Sequence, residues 1–250
     1  MVPRIFRDAR TKMLAAKEAA VEGFINSSER IASSNWDSEL DNSALDNSAD
    51  KLQVIGYDIF KRLFDLVGAV LLIVLTSPLM IAAIVAVKIT SPGPIVFKQK
   101  RLTRGGKIFT LLKFRTMVSN AETGTGAVWA ETNDPRVTKL GKFLRRTRID
   151  ELPQLFNVLA GDMSIIGPRP ERPEFSEKLS KEFPSFNKRL EVKAGITGLA
   201  QVGSGYASCL SSYRKKLALD LLYIQNRCLM LDLKISLKTV LVIITGSGAR

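Results

Sequence analysis

The feature that most constrains the fold is an uncharged run of 22 residues, Leu66 to Val87. As one straight helix it would be about 33 Å long, which is enough to span the hydrocarbon core of a bilayer. Ser77 and Pro78 lie at its midpoint. Because proline lacks a backbone N–H and clashes with the preceding turn, the sequence predicts a kink or a break there. Each half is then about 10 or 11 residues long, which suffices for roughly one leaflet.

Both flanks of this run are basic, with Lys61 and Arg62 before it and Lys88 and Lys98–Arg101 after it. Positive flanks are retained in the cytosol, so both ends favour the same side of the membrane. A re-entrant helical hairpin broken at Ser77-Pro78 satisfies this preference. A proline-kinked helix that crosses once is the alternative, and the residues alone leave both open because kinked spans are tolerated.

Charge is distributed unevenly along the 250 residues, whose net charge is +13. Residues 1–50 carry six Lys/Arg against nine Asp/Glu, whereas residues 51–250 carry 31 against 15. A body this basic favours an anionic partner such as a nucleotide or a phospholipid headgroup. The chain has no histidine, which excludes Ser-His-Asp catalysis and His-metal sites.

The pattern along the chain predicts an α+β fold that is mostly helical. We expect an N-terminal extension and flexible linker at residues 1–50, the membrane helix at 51–91 and a cytosolic catalytic domain at 92–250. Within that domain we expect a β-hairpin from Ile95–Phe97 and Lys107–Lys113, a loop at 119–133, and a turn at Lys193–Gly198. Helices are expected at 137–146, 151–159, 174–183 and 212–244, the last with apolar faces that suit an interfacial amphipathic helix or a packed core helix.

Asp150 and Glu151 are the candidate catalytic residues. Acids at the start of a short helix ordinarily cap it and complement its dipole. Their neighbours favour chemistry instead, because a carboxylate can attack phosphorus while a second one holds a divalent metal. Arg145 lies within two turns of them, and Arg169 stands between two prolines that limit its freedom. Both arginines are suited to hold phosphate oxygens.

Eight motifs then occur in one order along residues 57–250. They are Lys61-Arg-Leu-Phe-Asp65, Ser77-Pro78, Lys113-Phe-Arg-Thr-Met117, Arg148-Ile-Asp-Glu-Leu-Pro-Gln-Leu-Phe-Asn157, Gly161-Asp-Met-Ser164, Gly167-Pro-Arg-Pro170, Gly195-Ile-Thr-Gly198 and Asp220-Leu-Leu-Tyr223. This set resembles the bacterial sugar transferases known as monotopic phosphoglycosyl transferases, or polyprenyl-phosphate hexose-1-phosphate transferases. Residues 170–175 and the C-terminal Gly-Ala-Arg250 are most similar to the exopolysaccharide branch.

The resemblance implies an enzyme of the bacterial inner membrane, with a re-entrant helix and its active site on the cytosolic face. Its substrates would be a UDP-sugar and polyprenyl (undecaprenyl) phosphate, its cofactor Mg²⁺, and UMP its leaving group. By this resemblance Asp150 is the nucleophile and Glu151 contacts the metal. Arg145, Arg169 and Lys113 fall on family positions associated with the active site. Membrane lipid is then a partner, nucleic acid is not, and a homo-oligomer is left open.

Two positions depart from the family pattern. Ala194 stands where proline is usual and Leu199 where tryptophan is frequent, which leaves the donor sugar undetermined. Two other hypotheses fit part of the sequence. One is a non-catalytic basic scaffold on the membrane surface, whose binding would depend strongly on salt. The other is direct sugar-phosphate transfer without a covalent step.

Overall fold

The computed structural model describes residues 48–119, 121–122, 134–203 and 210–245. Almost all of the N-terminal extension and linker predicted at residues 1–50, and most of the loop predicted at 119–133, lie outside these residues. The described part is mostly helical with a small antiparallel hairpin, as the sequence predicted.

The apolar run lies in one long helix, α1, Ser48–Thr90. Gly56–Thr90 is long and apolar enough to cross a membrane. Only 17% of its most apolar 18-residue stretch is buried against the rest of the protein. One stripe of the helix packs on the body at helical spacing and is formed by Asp65, Ala69, Met80, Ala83 and Val87. The remaining circumference exposes large apolar side chains, which include Val74, Leu75 and Ile89.

The helix continues through Pro78, so the predicted kink or break at Ser77-Pro78 does not interrupt the helical hydrogen bonding, and the re-entrant hairpin stays a prediction. Pro78 has no N–H to donate to the carbonyl of Val74. The Oγ of Ser77 donates to that carbonyl at 2.8 Å, and Thr76 Oγ1 donates to Leu72 O at 2.6 Å. Side-chain hydroxyls therefore replace the donor that proline removes, and the helical backbone persists.

The predicted hairpin is confirmed as β1, Val96–Leu102, and β2, Ile108–Phe114, paired antiparallel with Val96 opposite Phe114. A turn at Arg104–Gly106 joins them. Gly105 and Gly106 adopt φ of +70° and +73° there, a region that glycine enters without steric cost.

Two short helices follow the hairpin. Helix α2, Lys139–Arg146, begins where Thr138 Oγ1 accepts the amide of Gly141 at 2.9 Å, an ordinary N-cap. Helix α3, Gln154–Ala160, ends at Gly161 in the left-handed region. Asn157 of α3 donates to Thr110 O and accepts from Leu112 N, which fixes α3 against β2.

A second sheet was not predicted. Strand β3, Met163–Ile166, pairs parallel with β4, Ala194–Thr197, so the turn predicted at Lys193–Gly198 is wrong. The pairing continues into a close backbone approach, because a Cβ on Gly195 would lie 2.1 Å from Gly167 N. Only glycine fits that spacing.

The remaining helices are α4, Pro173–Glu182, α5, Leu199–Gly203, α6, Leu210–Asn226, and α7, Leu229–Thr245. The single helix predicted over 212–244 is therefore two, separated at Arg227-Cys228. Helix α7 exposes a row of apolar residues that includes Leu233, Leu237 and Leu241. Its insertion at a membrane interface stays a prediction.

The body has two apolar clusters that share Leu152. The first cluster joins Ala69 of α1 to Leu111, Leu155 and Met163. The second joins Met80 and Val87 of α1 to Phe114 of β2 and Leu144 of α2. Leu152 directly follows Asp150 and Glu151, so the packing of both clusters fixes the chain that carries the two acids.

Candidate active site

The two acids lie on a tight 3-10 turn, Ile149–Glu151, between α2 and α3. Arg148 begins the turn with φ of 59°, the only positive φ of a non-glycine residue in the described chain. This left-handed conformation is costly for arginine and is characteristic of functional sites. Asp150 and Glu151 are 6% and 9% exposed, so both carboxylates are buried side by side.

Glu151 is tied to two of the predicted cations. Its Oε1 accepts from Nη2 of Arg169 at 2.6 Å and from Nζ of Lys113 at 2.9 Å. Burial raises the pKa of Glu151, but Arg169 and Lys113 together outweigh burial and hold it well below its usual range. Glu151 is therefore ionised, and its charge orients both cations.

Asp150 differs from its neighbour. Within the described residues it forms no hydrogen bond or ion pair with another group. Burial raises its pKa, while the charge of Lys113 opposes that shift and the charge of Glu151 adds to it. A carboxylate that is buried, poorly solvated and uncommitted to a partner is a stronger nucleophile than an exposed one.

Lys113 and Arg169 reach the acids from different elements. Lys113 is near the end of β2, and burial lowers its pKa although Glu151 opposes that shift. Arg169 follows β3, and the adjacent charge of Glu151 raises its pKa. Strand β2 and the segment after β3 thus deliver two positive charges to one carboxylate oxygen.

Arg145, the third predicted cation, does not bind either acid directly. Its Nε donates to Thr116 Oγ1 at 2.9 Å, and its positive charge lowers the pKa of Asp150. The structure therefore gathers all three predicted cations around Asp150, with Arg145 in an outer position.

Two residues that support Arg169 were missed by the sequence analysis. Arg189 donates through Nη2 to the backbone carbonyl of Arg169 at 2.8 Å and through Nε to Oδ2 of Asp220 at 2.7 Å. Its guanidinium also stacks on Phe186, 4.8 Å from the ring centroid. Asp220 opens one of the motifs quoted for the resemblance, so that motif was its signal, whereas Arg189 had none.

The donor set suits a magnesium ion only in part. The described residues contain no group of three or more His, Cys, Asp or Glu side chains that converge. Magnesium, however, is commonly held by one or two carboxylates together with substrate phosphates and water. Asp150 and Glu151 meet that requirement, and among the residues that the structure describes Glu151 Oε2 has Arg148, at 4.0 Å, as its one ion-pair partner.

Comparison with known proteins agrees with this geometry. The sequence model described as bacterial sugar transferase matches residues 56–246. The chain is 48% identical over 194 residues to the UDP-N-acetylgalactosamine-undecaprenyl-phosphate N-acetylgalactosaminephosphotransferase of Aeromonas hydrophila, which covers 78% of this chain and 46% of that protein. This chain therefore spans about half the length of that relative.

Two further relatives are matched over more of their length. Identity is 43% over 197 residues to the UDP-glucose:undecaprenyl-phosphate glucose-1-phosphate transferase of Caulobacter vibrioides, covering 78% of this chain and 73% of that protein. It is 41% over 194 residues to the sugar transferase EpsL of Bacillus subtilis, covering 76% and 90%. With the matched region extending from α1 through the acids to α7, the chain belongs to the bacterial sugar transferase family.

Proposed function

We propose that the chain transfers a sugar 1-phosphate from a UDP-sugar to undecaprenyl phosphate in two displacements. In the first, an oxygen of Asp150 attacks the β-phosphorus, the bond to the α-phosphate breaks, and UMP leaves. In the second, a phosphate oxygen of the lipid attacks the same phosphorus and releases Asp150. Each step forms one P–O bond and breaks one, so no further reactant is needed.

The observation that carries this proposal is the unequal pairing of the two adjacent acids. Glu151 is committed to Arg169 and Lys113, whereas the oxygens of Asp150 remain available. One acid is therefore suited to hold charge in place and the other to attack. This inequality distinguishes the site from a pair of helix-capping acids, for which backbone amides would be the partners.

The surrounding cations suit a diphosphate donor. A buried carboxylate and a diphosphate repel each other, and positive groups that are already oriented reduce that repulsion without reorganisation. Arg169 and Lys113 lie on the Glu151 side of Asp150, and Arg145 contributes from α2. We infer that they hold the phosphate oxygens of the donor and of UMP as it leaves.

Magnesium fits this arrangement as a substrate-bound ion. Glu151 would hold it through the oxygen that faces Arg148, together with phosphate oxygens of the donor. Its chemistry there would be the neutralisation of charge on the diphosphate.

Packing along α1 supports a re-entrant insertion from the cytosolic face. Arg62 donates to the carbonyls of Val158 and Leu159 near the start of the apolar run, and Arg115 donates to the carbonyl of Pro92 beyond its end. If α1 were straight, these contacts would lie about 45 Å apart, more than the bilayer core of about 30 Å, so the proposed insertion requires α1 to bend at Pro78. If α1 crossed once, the polar body that it contacts would have to enter the membrane. Keeping both ends on one side avoids that cost.

The test uses the full chain in nanodiscs, with UDP-glucose and UDP-N-acetylgalactosamine as donors, undecaprenyl phosphate and Mg²⁺. We expect UMP release with at least one donor. Without the lipid we expect intact-protein mass to increase by one sugar phosphate. Asp150→Asn should lose both signals by at least about 10³-fold. Asp162→Asn, a matched change outside the site, should keep them.

Other outcomes would contradict the proposal in different ways. UMP release that requires the lipid and leaves no adduct would indicate direct transfer. Near-normal turnover by Asp150→Asn would remove the assigned nucleophile. Absence of UMP release with every donor, alongside salt-sensitive binding to anionic vesicles, would favour the scaffold.

A further inference from the structure

A cavity lies at the opposite end of the β1–β2 hairpin from the two acids. It has a volume of about 130 Å³, well above the roughly 10–15 Å³ that admits one water. The start of α1, the hairpin turn, the segment before β4 and the residue after α6 form its walls. Lys113 and the turn at Arg104 are about 20 Å apart along β2, so this cavity is separate from the Asp150 site.

The walls of the cavity carry more positive charge than the structure neutralises. Five cations line it, and they are Lys61, Arg62, Arg104, Lys193 and Arg227. Only two carboxylates line it with them, Asp58 and Asp65. Asp58 pairs with both Arg104 and Arg227, each at 3.6 Å. Lys61 pairs with Asp65 at 3.6 Å and with Asp232, which does not line the cavity, at 3.2 Å. Arg62 and Lys193 form no ion pair with a carboxylate among the described residues.

Arg62 and Lys193 converge on one point. A Cβ built on Gly161 would lie 3.5 Å from Nη2 of Arg62 and 3.9 Å from Nζ of Lys193. Arg62 is held rigidly there, because it donates to the carbonyls of Val158 at 2.7 Å and Leu159 at 3.0 Å. Two of its five N–H groups are used in this way, and the others remain for a ligand.

Like charge and burial both act on Lys193. Burial lowers its pKa, and the neighbouring charges of Arg62 and Arg104 lower it further, while the charges of Asp65 and Asp162 oppose that shift without reversing it. Neither Arg62 nor Lys193 has a carboxylate at ion-pair distance among the described residues, so the two positive charges repel each other. An anion placed between them would remove that repulsion and supply acceptors for both groups.

We propose that this cavity binds a phosphate group between Arg62 and Lys193, either the headgroup phosphate of an anionic phospholipid or a soluble phosphate. A phosphate offers several oxygens at tetrahedral angles, so a fixed guanidinium fork and an ammonium can bind it together. The ligand would join α1, through Arg62, to the segment before β4, through Lys193. It would thereby fix the membrane helix against the body.

The experiment measures thermal stabilisation of the full chain with two probes. In one arm inorganic phosphate is titrated against protein in a neutral detergent. In the other, nanodiscs of phosphatidylcholine are compared with nanodiscs that contain phosphatidylglycerol. Lys193→Gln is the test variant. Lys107→Gln removes the same charge from a side chain that is 72% exposed at the same turn and does not line the cavity.

We expect Lys107→Gln to match the unmodified chain in both arms. Lys193→Gln should bind inorganic phosphate or phosphatidylglycerol, whichever is the natural ligand, about tenfold or more weakly. The reason is that it loses one charge-assisted contact with the phosphate. Lys193→Arg, which keeps the charge, should restore most of it. Phosphate could also bind beside Asp150, but that site is intact in both glutamine variants, so their difference reports on this cavity alone.

The two arms also distinguish the sources. Loss with inorganic phosphate identifies a soluble ligand, and loss confined to phosphatidylglycerol identifies a lipid headgroup. If Lys193→Gln is too unstable to compare, Arg104→Gln, whose side chain is 56% exposed, provides a second test with a smaller expected loss. Equal stabilisation of the glutamine variants and the unmodified chain in both arms would overturn the proposal. The proposed transfer reaction would be unaffected by that result.

Discussion

Nη2 of Arg169 donates a 2.6 Å hydrogen bond to Oε1 of Glu151, and the same oxygen accepts from Lys113. The pairing connects the chain after β3 to the turn before α3. Since all three side chains come from distant parts of the sequence, the bond is a product of tertiary packing. It also separates the roles of the two adjacent acids, and the following expectations depend on that separation.

Glu151→Gln should destabilise the protein. The low pKa of Glu151 means that its ionised form stabilises the fold above the ordinary pKa of glutamate, and that this stability is lost as pH falls through the lowered value. Glutamine leaves two partly buried cations without their shared carboxylate, which we expect to lower the free energy of unfolding by about 1–2 kcal/mol at neutral pH, because solvent screens the half-exposed Arg169. The midpoint of thermal unfolding in detergent, compared between Glu151→Gln and the unmodified chain, measures this loss of stability. An unchanged midpoint would show that the two cations do not need the charge.

Asp150→Asn should have the opposite effect on stability. Burial raises the pKa of Asp150, so its ionised form opposes folding at neutral pH and the protein becomes less stable as pH rises through that value. Removing the charge should raise the free energy of unfolding by about 0.5–2 kcal/mol while turnover is lost. The same unfolding measurement checks it, and a midpoint lowered as much as in Glu151→Gln would contradict the assigned inequality.

The rate of the first half-reaction should fall at acidic pH, with a midpoint above the pKa of an ordinary aspartate. Asp150 must be ionised to attack, and burial moves its pKa above the usual value of about 3.9. UMP release without lipid should therefore decline as pH falls toward a value higher than about 4. Lys113→Met removes the cation that most strongly lowers the pKa of Asp150. The midpoint of the acidic decline in UMP release should therefore move to still higher pH.

Lys107→Met is the control for that pH profile, because Lys107 is exposed and its ion pair is with Asp162. The acidic decline in UMP release by Lys107→Met should have the same midpoint pH as that of the unmodified chain. If Lys113→Met moved this midpoint to lower pH, a group other than Asp150 would determine the acidic decline in UMP release.

Arg189→Lys should impair catalysis by misplacing Arg169. Arginine binds Asp220 and the carbonyl of Arg169 at once, and an ammonium cannot reproduce both directions of the planar fork. We expect kcat/KM for the UDP-sugar to fall by about 10–100-fold. Arg172→Lys, a matched change at an arginine that binds Glu122 instead, should have little effect. A lower unfolding midpoint with normal donor kinetics would limit Arg189 to a structural role.

Both ends of α1 should be accessible from the cytosol only. Single cysteines at Phe60 and Lys98, both exposed positions, can be introduced after Cys209 and Cys228 are replaced by serine. An impermeant thiol reagent should modify both in inside-out vesicles and neither in right-side-out vesicles. Modification of the two positions from opposite sides would establish a single crossing.

Local sequence patterns predicted those elements whose signal lies within a few residues. Periodicity and turn residues were sufficient for the hairpin and for α2 to α4. They failed where a distant segment decides the structure. Strands β3 and β4 are only four residues each, too short for a periodic pattern, and their pairing depends on a close backbone approach at Gly167 and Gly195. At Pro78 the rule for proline was applied without the hydroxyl of Ser77, which supplies the missing donor.

The sequence by itself determined that an apolar helix with basic flanks precedes a cationic domain with two adjacent acids, because hydrophobic run length, charge and motif order are all properties of the chain. Only the tertiary structure decided which acid is paired and which is available. It also brought Arg189 beneath Arg169 and placed Arg62 beside Lys193. The physical reason is that hydrogen bonds and ion pairs act over a few ångströms, and folding brings within that range residues that lie up to 175 positions apart in the chain.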